Sequence, residues 1–160
     1  QHGQAMLRSA DAAHPVQGHS LTPETLAVGV MVVPNNAAYR AAARVTWLLD
    51  AKRYASVRFV AGDVPCARSA LAEEARVFGD VAFVNSNDCK KWHSPAKVHA
   101  WYAFALKAFP MAAWIAKMED DGLLWVEALV GALALVRHSR SSVYFGMIQW
   151  QGGCSLSEAR

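Results

Sequence analysis

The sequence is poor in charged residues and lacks the short motifs that identify many nucleotide-binding and zinc-binding proteins. Only 18% of its 160 residues are charged and 54% are hydrophobic, which excludes a chain that is disordered as a whole. Neither G-x-x-x-x-G-K-[ST] nor G-x-G-x-x-G occurs, and no C-x-x-C pair is present. These absences argue against a zinc site and against an unrelated doubly wound phosphotransferase.

A run of basic residues and a long hydrophobic run are also missing. The formal net charge is +3 with scattered Lys and Arg, so we expect no nucleic-acid partner. The longest apolar stretch, residues 123–136, contains Glu127 and is too short to cross a bilayer. The chain begins at Gln1 without a signal-peptide pattern. We therefore expect a piece of a longer protein, with any membrane anchor outside this chain.

Cysteine usage leaves the redox compartment open. The sequence has three cysteines, Cys66, Cys89 and Cys154. One disulfide with a third thiol is compatible with this number, and so are three thiols. Cys66 and Cys89 are one possible pair, but connectivity does not follow from sequence.

Short apolar runs alternate with helix-like segments along most of the chain. The predicted strands are 26–33, 56–61, 81–85, 113–118 and 143–148. The predicted helices are 37–49, 67–78, 96–109 and 124–136. This order predicts one α/β domain over residues 25–150, with a doubly wound, mostly parallel sheet and helices on both faces. Residues 1–24 are interpreted as a flexible lead-in, and residues 151–160 as a polar tail at which the domain is truncated.

Three acidic residues, Glu119, Asp120 and Asp121, directly follow the fourth predicted strand. Ligands of open α/β sheets bind outside the carboxyl ends of the strands. Clustered carboxylates repel one another unless a cation lies among them, and their oxygens suit Mg²⁺ or Mn²⁺ bridged to phosphates. Because side chains alternate in extended chain, Glu119 and Asp121 are expected to face one way and Asp120 the other. The alternative is a solvated turn before the next helix, where the helix dipole favours acids.

Several other side chains are expected to have structural roles. Glu73 and Glu74 are predicted on the solvent side of their helix, and Asp80 in a turn. Asp63 follows the second strand and either contacts a base or ribose or belongs to a turn. Large aromatic side chains usually pack in the core. The tryptophans predicted to do so are Trp47, Trp101, Trp114 and Trp125.

Several segments resemble, in order and spacing, the β-1,3-galactosyltransferase-like enzymes of glycosyltransferase family 31. The segment YRAAARVTW (39–47) resembles the family's R-x-x-x-R-x-T-W, and VRFVAGD resembles its next strand. LAEEARVFGDVAFVNSND is similar to its E-x-x-x-(aromatic)-G-D segment, and KVHAWYAF to its lysine-containing helix. IAKMEDDGLLW is similar to its K-x-D-D-D motif, and VYFGM to the strand after it. The resemblance covers about residues 26–147.

The resemblance implies a GT-A fold and a metal-dependent hexosyltransferase. The implied donor is a UDP-sugar of the galactose or N-acetylhexosamine type, and the implied cofactor is Mn²⁺ or Mg²⁺. Transfer would proceed with inversion to a hydroxyl of a glycan, glycoprotein or glycolipid. The implied location is the Golgi lumen, as a type II membrane protein whose anchor lies outside this chain.

The resemblance also assigns roles to individual residues. Asp121 is the main metal ligand, with Glu119 as a second one. The resemblance implies that the two arginines of the 39–47 segment lie near the nucleotide and its phosphates, where guanidinium groups suit anions. A lysine is implied to support the donor site, although an ordinary solvated helix lysine is an equal alternative. The implied donor-binding residues are Arg40, Arg44, Lys97, Glu119 and Asp120.

Three departures from the family pattern bear on activity. Glu119 stands where the family usually has Asp, and the spacing from Asp88 to Lys97 is about one residue longer, with the usual aromatic displaced to Trp92. The family's general base lies in a later acidic motif, and nothing in residues 149–160 matches it. No catalytic base is assigned. The alternative function is a non-catalytic nucleotide-sugar or glycan-binding relative with the same fold.

Overall fold

A parallel sheet forms the centre of the protein in a computed structural model, which describes residues 25–87, 95–136 and 143–146. Its strands are β1 (Leu26–Met31), β2 (Ser56–Gly62), β3 (Val81–Val84) and β4 (Trp114–Glu119). They lie in the order β3-β2-β1-β4, and each neighbouring pair is parallel. The strand order reverses between β1 and β4, which is where doubly wound sheets bind ligands.

Helices cover both faces of this sheet. They are α1 (Ala37–Val45), α2 (Trp47–Ala51), α3 (Pro65–Phe78), α4 (Pro95–Ala108) and α5 (Val126–Val136). Alternate β1 side chains point to opposite faces, so Val28 and Val30 join the core beneath α1, α2, α3 and α5. Ala27 and Met31 join the core beneath α4. The predicted α/β, doubly wound, parallel fold is confirmed.

Trp101 packs α4 against the middle of β1. Its side chain is fully buried, and its indole N–H donates to the Ala116 carbonyl at 3.0 Å. A Cβ on Gly29 would lie 2.6 Å from Trp101 Cδ2, so this close approach requires glycine in β1. Lys97 lies one turn before Trp101 on the same face of α4. The tryptophan therefore also fixes where Lys97 meets the sheet.

The helix predicted over 37–49 is interrupted at Thr46, so this segment forms two helices, α1 and α2. This residue has φ −122° and ψ −113°, and its hydroxyl donates to the Ala42 carbonyl at 2.7 Å. A threonine hydroxyl competes for backbone groups and favours such interruptions. Leu48 of α2 then turns into the core, where it is 1% exposed.

Two other predictions are wrong for the residues that the structure describes. Residues 143–146 form no strand, and the remainder of the fifth predicted strand lies outside the described ranges. Trp125 was predicted to pack in the core, but it is 71% exposed. The predicted lead-in (1–24) and tail (151–160) also lie outside the described residues. None of the helices described here is long and apolar enough to cross a membrane.

Candidate functional site

The acidic segment (residues 119–121) lies beside the loop that leaves β1. Glu119 ends β4 and is in register with Met31, the last residue of β1. The next residues, 32–36, form the β1–α1 loop. Asp120 Oδ2 accepts hydrogen bonds from the Val33 backbone N–H at 3.4 Å and from Asn36 Nδ2 at 3.3 Å. The two segments are therefore joined at the switch point of the sheet.

The three acids differ in their contacts. Lys117 Nζ lies 2.7 Å from Glu119 Oε1 in a partly exposed ion pair. Asp120 binds the β1–α1 loop. Asp121 is exposed, and within the described part of the chain its carboxylate makes no hydrogen bond or ion pair. Asp121 is consequently the acid that is open to a ligand.

The acidic segment suits a metal ion that a substrate helps to hold. Mg²⁺ and Mn²⁺ prefer oxygen ligands, and one or two carboxylates commonly bind them together with phosphates. Asp121 and Glu119 offer such carboxylates. Among the described residues, no three His, Cys, Asp or Glu side chains are arranged to hold a metal by themselves. Glu119 would have to exchange Lys117 for the metal, whereas Asp121 has no such competitor among the described contacts.

Two buried cations bind the β1–α1 loop from within the protein. Lys97 is 5% exposed, and its Nζ donates to the Val32 carbonyl at 2.8 Å. Arg40 is 1% exposed, and it donates from Nη1 to the Val33 carbonyl and from Nη2 to the Pro34 carbonyl, each at 3.0 Å. Three consecutive carbonyls thus accept from two positive side chains. The alternative of a solvated helix lysine is wrong for Lys97.

Arg40 also belongs to an arginine–carboxylate network (Arg40, Arg44, Glu74 and Asp80). Glu74 lies 2.6 Å from Arg40 Nη2 and 2.8 Å from Arg44 Nη1. Both carboxylate oxygens of Asp80 accept from Arg44, each at 2.9 Å. The guanidinium of Arg44 also lies 4.0 Å from the centre of the Phe78 ring, a cation–π contact. Hydrogen bonds from Arg40 hold the pKa of Glu74 well below its usual range, at about 2.

The network corrects one sequence prediction. Glu74 was predicted on the solvent side of α3, but it is only 20% exposed. Asp80 lies, as predicted, in the connection just before β3, where it is 5% exposed. Burial was possible because each carboxylate has a guanidinium partner. The sequence carried a signal for this pairing: two arginines one turn apart on α1 (Arg40 and Arg44) and two acids that bracket the end of α3.

The predicted contact of Arg40 and Arg44 with a nucleotide does not follow from the network. The hydrogen bonds of both arginines go to protein carboxylates and carbonyls. Arg40 reaches the acidic segment through the β1–α1 loop, whereas Arg44 is directed to Glu74 and Asp80. Direct contact with phosphate stays a prediction for both arginines and for Lys97.

A cleft of about 270 Å³ opens between α1 and the acidic segment. Aromatic side chains and carboxylates share its wall. The lining residues that matter here are Tyr39, Trp47, Asp120 and Asp121. Tyr39 is 49% exposed, so its ring is accessible. Mixed apolar and polar walls of this kind are typical of small-molecule sites.

The carboxyl end of β2 carries a different arrangement. Asp63 forms an exposed ion pair with Arg68, with Arg68 Nη2 2.9 Å from Asp63 Oδ2. The hydrogen bond from Arg68 lowers the pKa of Asp63. Cys66, nearby at the start of α3, is disulfide-bonded. Its two possible partners, Cys89 and Cys154, lie outside the described residues.

A four-stranded parallel sheet with helices around it and acids at its switch point defines an α/β domain of the GT-A-like type. The chain belongs to the galactosyltransferase family, whose model, described as Galactosyltransferase, matches residues 38–157. This range is 120 of the 160 residues and includes α1 from its second residue, the network and the acidic segment. The predicted family is confirmed, and glycosyltransferase function in general is supported. No curated protein and no solved structure matches the chain.

Proposed function

We propose that the protein transfers a hexose from a UDP-sugar to a hydroxyl of a glycan or glycoconjugate, with inversion and with the help of Mn²⁺ or Mg²⁺. The observation that carries this proposal is the open carboxylate of Asp121 at the β1/β4 switch point. An exposed acid beside two engaged acids is a suitable place for a divalent cation that a diphosphate also binds.

The acidic segment divides its roles in this proposal. Asp121 would hold the metal, and Glu119 would be a second ligand in exchange for its ion pair with Lys117. The cation would neutralise the negative charge that builds on the leaving diphosphate. Asp120 contributes by tying the segment to the β1–α1 loop. No catalytic base is assigned among the described residues.

The cleft beside the acids suits the sugar part of a substrate. Tyr39 and Trp47 line the cleft with apolar ring surface that would pack against the C–H face of a hexose, and the carboxylates would accept hydrogen bonds from its hydroxyls. The donor hexose, of the galactose or N-acetylhexosamine type, is the occupant in this proposal. The acceptor is a glycan, glycoprotein or glycolipid.

The proposed location is the Golgi lumen. The disulfide at Cys66 supports an oxidising compartment, since disulfides persist in secretory compartments and are rare in the cytosol. A type II membrane anchor outside this chain is part of the same proposal and rests on the family resemblance alone.

Calorimetry of UDP binding with and without Mn²⁺ tests the donor site. We expect Mn²⁺ to strengthen UDP binding and Asp121→Asn to abolish that gain, while Asp50→Asn, a matched change on the exposed surface of α2, retains it. Folded wild-type protein without any metal-dependent gain would refute the donor site. UDP-sugar hydrolysis or transfer, measured on the same samples, separates a transferase from a relative that only binds the donor.

A further inference from the structure

Two buried, positively charged side chains donate hydrogen bonds to the β1–α1 loop. Lys97 comes from α4 on one face of the sheet, and Arg40 comes from α1 on the other. Both side chains are almost completely buried, at 5% and 1% exposure. Burying a cation is costly unless it is well paired, so this arrangement calls for an explanation beyond surface solubility.

The partners of the two cations are what single out this loop. Lys97 donates to the carbonyl of Val32, and Arg40 donates to the carbonyls of Val33 and Pro34 in addition to its bonds to Glu74. Glu74 lies behind Arg40 and holds its guanidinium from the other side, at 2.9 Å from Nε and 2.6 Å from Nη2. Hydrogen bonds to charged groups are the stronger ones, so the carbonyls are held in one orientation.

The orientation of these carbonyls decides where the loop's donors point. The Val33 N–H, which shares a peptide plane with the Val32 carbonyl, donates to Asp120 Oδ2, and Asn36 donates from its side-chain amide to the same oxygen. A continuous chain of contacts therefore runs from Glu74 through Arg40 and the loop to Asp120. Asp121 is covalently next to Asp120, so fixing Asp120 limits where the open carboxylate can lie.

We propose that Lys97 and Arg40 are positioning residues that clamp the β1–α1 loop and thereby hold the acidic segment ready for a metal-bound diphosphate. They act through the loop and Asp120 rather than by touching the donor. This inference rests on the proposed function for its ligand, but the clamp itself is a property of the protein alone. It replaces the implied direct donor contact of these two residues with an indirect one.

The clamp predicts an effect on metal-dependent binding that differs from a direct phosphate contact. The quantity to measure is the ratio of UDP affinity with Mn²⁺ to UDP affinity without it. Lys97→Met keeps the apolar stem and removes the donor, and Lys107→Met removes an exposed lysine from the same helix as the control. We expect Lys97→Met to lower the ratio by about 10- to 100-fold, the scale on which small misplacements act. Lys107→Met should leave it unchanged.

A direct phosphate contact would give another pattern. Lys97→Met would then weaken UDP binding without metal as strongly as with it, and that result would overturn the clamp. A ratio equal to that of wild type in folded Lys97→Met would overturn it as well. Combining Lys97→Met with Asp120→Ala adds a second criterion: the two changes should be non-additive if both act through the loop. Full additivity contradicts the proposal.

Amide hydrogen exchange separates the clamp from the donor site. We expect exchange of the loop amides, above all Val33, to speed up about tenfold or more in Lys97→Met and in Glu74→Gln, in the absence of any ligand. Glu73→Gln, its exposed neighbour on α3, is the control. If the loop amides exchange at the wild-type rate in both Lys97→Met and Glu74→Gln, the clamp is refuted, even if wild type binds UDP with Mn²⁺. If wild type shows no metal-dependent binding, the proposed function fails, and the exchange result alone decides the clamp.

Discussion

The arginine–carboxylate network and the acidic segment are two groups of charges that meet the same loop and differ in how completely they are paired. The network has two positive and two negative side chains, largely buried, and each carboxylate has a guanidinium partner. The acidic segment has three negative side chains, partly exposed, and one of them is open in the described part of the chain.

This difference separates charges that stabilise a fold from charges that await a ligand. In the buried network, guanidinium and carboxylate groups compensate one another, so losing one member leaves a buried charge without compensation. In the acidic segment, neighbouring carboxylates repel one another, and this repulsion is relieved only when a cation binds. Each group therefore predicts a distinct response to the same type of substitution.

The largest expected effect is on stability, from breaking the network at Arg44. Arg44→Met removes the two-point partner of Asp80 and one partner of Glu74. We expect the free energy of unfolding to fall by about 3–5 kcal/mol, as for other broken buried pairs, and urea unfolding measures it. Arg76→Met, which breaks only an exposed pair with Glu73, should be indistinguishable from wild type. Equal losses in the two variants would remove the distinction between buried and exposed charge.

The next effect is the acid sensitivity of the network. The pKa of Glu74 is held at about 2 by Arg40, below its ordinary value of 4.5. A lowered folded-state pKa contributes stability that is present above pH 4.5 and is lost as the pH falls from 4.5 toward 2. After allowance for solvent screening at this partly exposed group, we expect about 1–2 kcal/mol.

Unfolding of wild type and Glu74→Gln at several pH values measures this contribution. The stability difference between them should shrink as the pH falls from about 5 to about 2.5. Glu73→Gln should follow wild type closely, because its partner Arg76 is exposed. A constant difference between wild type and Glu74→Gln across this range would contradict the assigned pKa.

Removing one negative charge from the acidic segment should change stability in the opposite direction and by a smaller amount. Asp121→Asn removes one of three neighbouring negative charges from an exposed position. We expect the free energy of unfolding to be unchanged or to rise by up to about 0.5 kcal/mol, as for surface changes without a broken contact. Thermal unfolding without metal is the measurement. A clear loss of stability would mean that Asp121 has a structural partner after all.

The sequence predicted the frame of the protein well because periodic patterns carry that information. Apolar β-branched runs gave the four described strands to within a few residues, and the acids were placed at the end of β4. The break at Thr46 was missed because one hydroxyl bond, not periodicity, interrupts the helix. Residues 143–146 read as strand because their apolar pattern does not say whether a neighbouring strand is present.

The burial of charged side chains was the part that sequence could not supply. Lys97 and Glu74 look like ordinary helix-surface residues, since composition and helical spacing say nothing about which carbonyl or guanidinium lies opposite. Those partners are distant in sequence: Lys97 is 65 residues from Val32, and Arg40 is 34 from Glu74. The acidic segment could be placed at the end of β4 from strand order alone, whereas the metal role of Asp121 comes from the family resemblance and stays a prediction.

Glu119 would have to exchange Lys117 for the metal, and a substitution at Lys117 tests whether it does so. Lys117→Met breaks a partly exposed ion pair and should cost about 0–1 kcal/mol. It also removes the Lys117 ammonium group from the Glu119 carboxylate. If Glu119 joins Asp121 at the metal, we expect Lys117→Met to strengthen Mn²⁺-dependent UDP binding severalfold, because the cation no longer competes with the ammonium group.

Lys107→Met changes the net charge equally but lies on α4, so it controls for the long-range electrostatic effect of removing one positive charge. An equal gain in both variants, or a gain that persists when Glu119→Gln is added, would contradict a metal contact by Glu119. Asp121 would then be the metal ligand, and Glu119 would serve only as the ion-pair partner of Lys117.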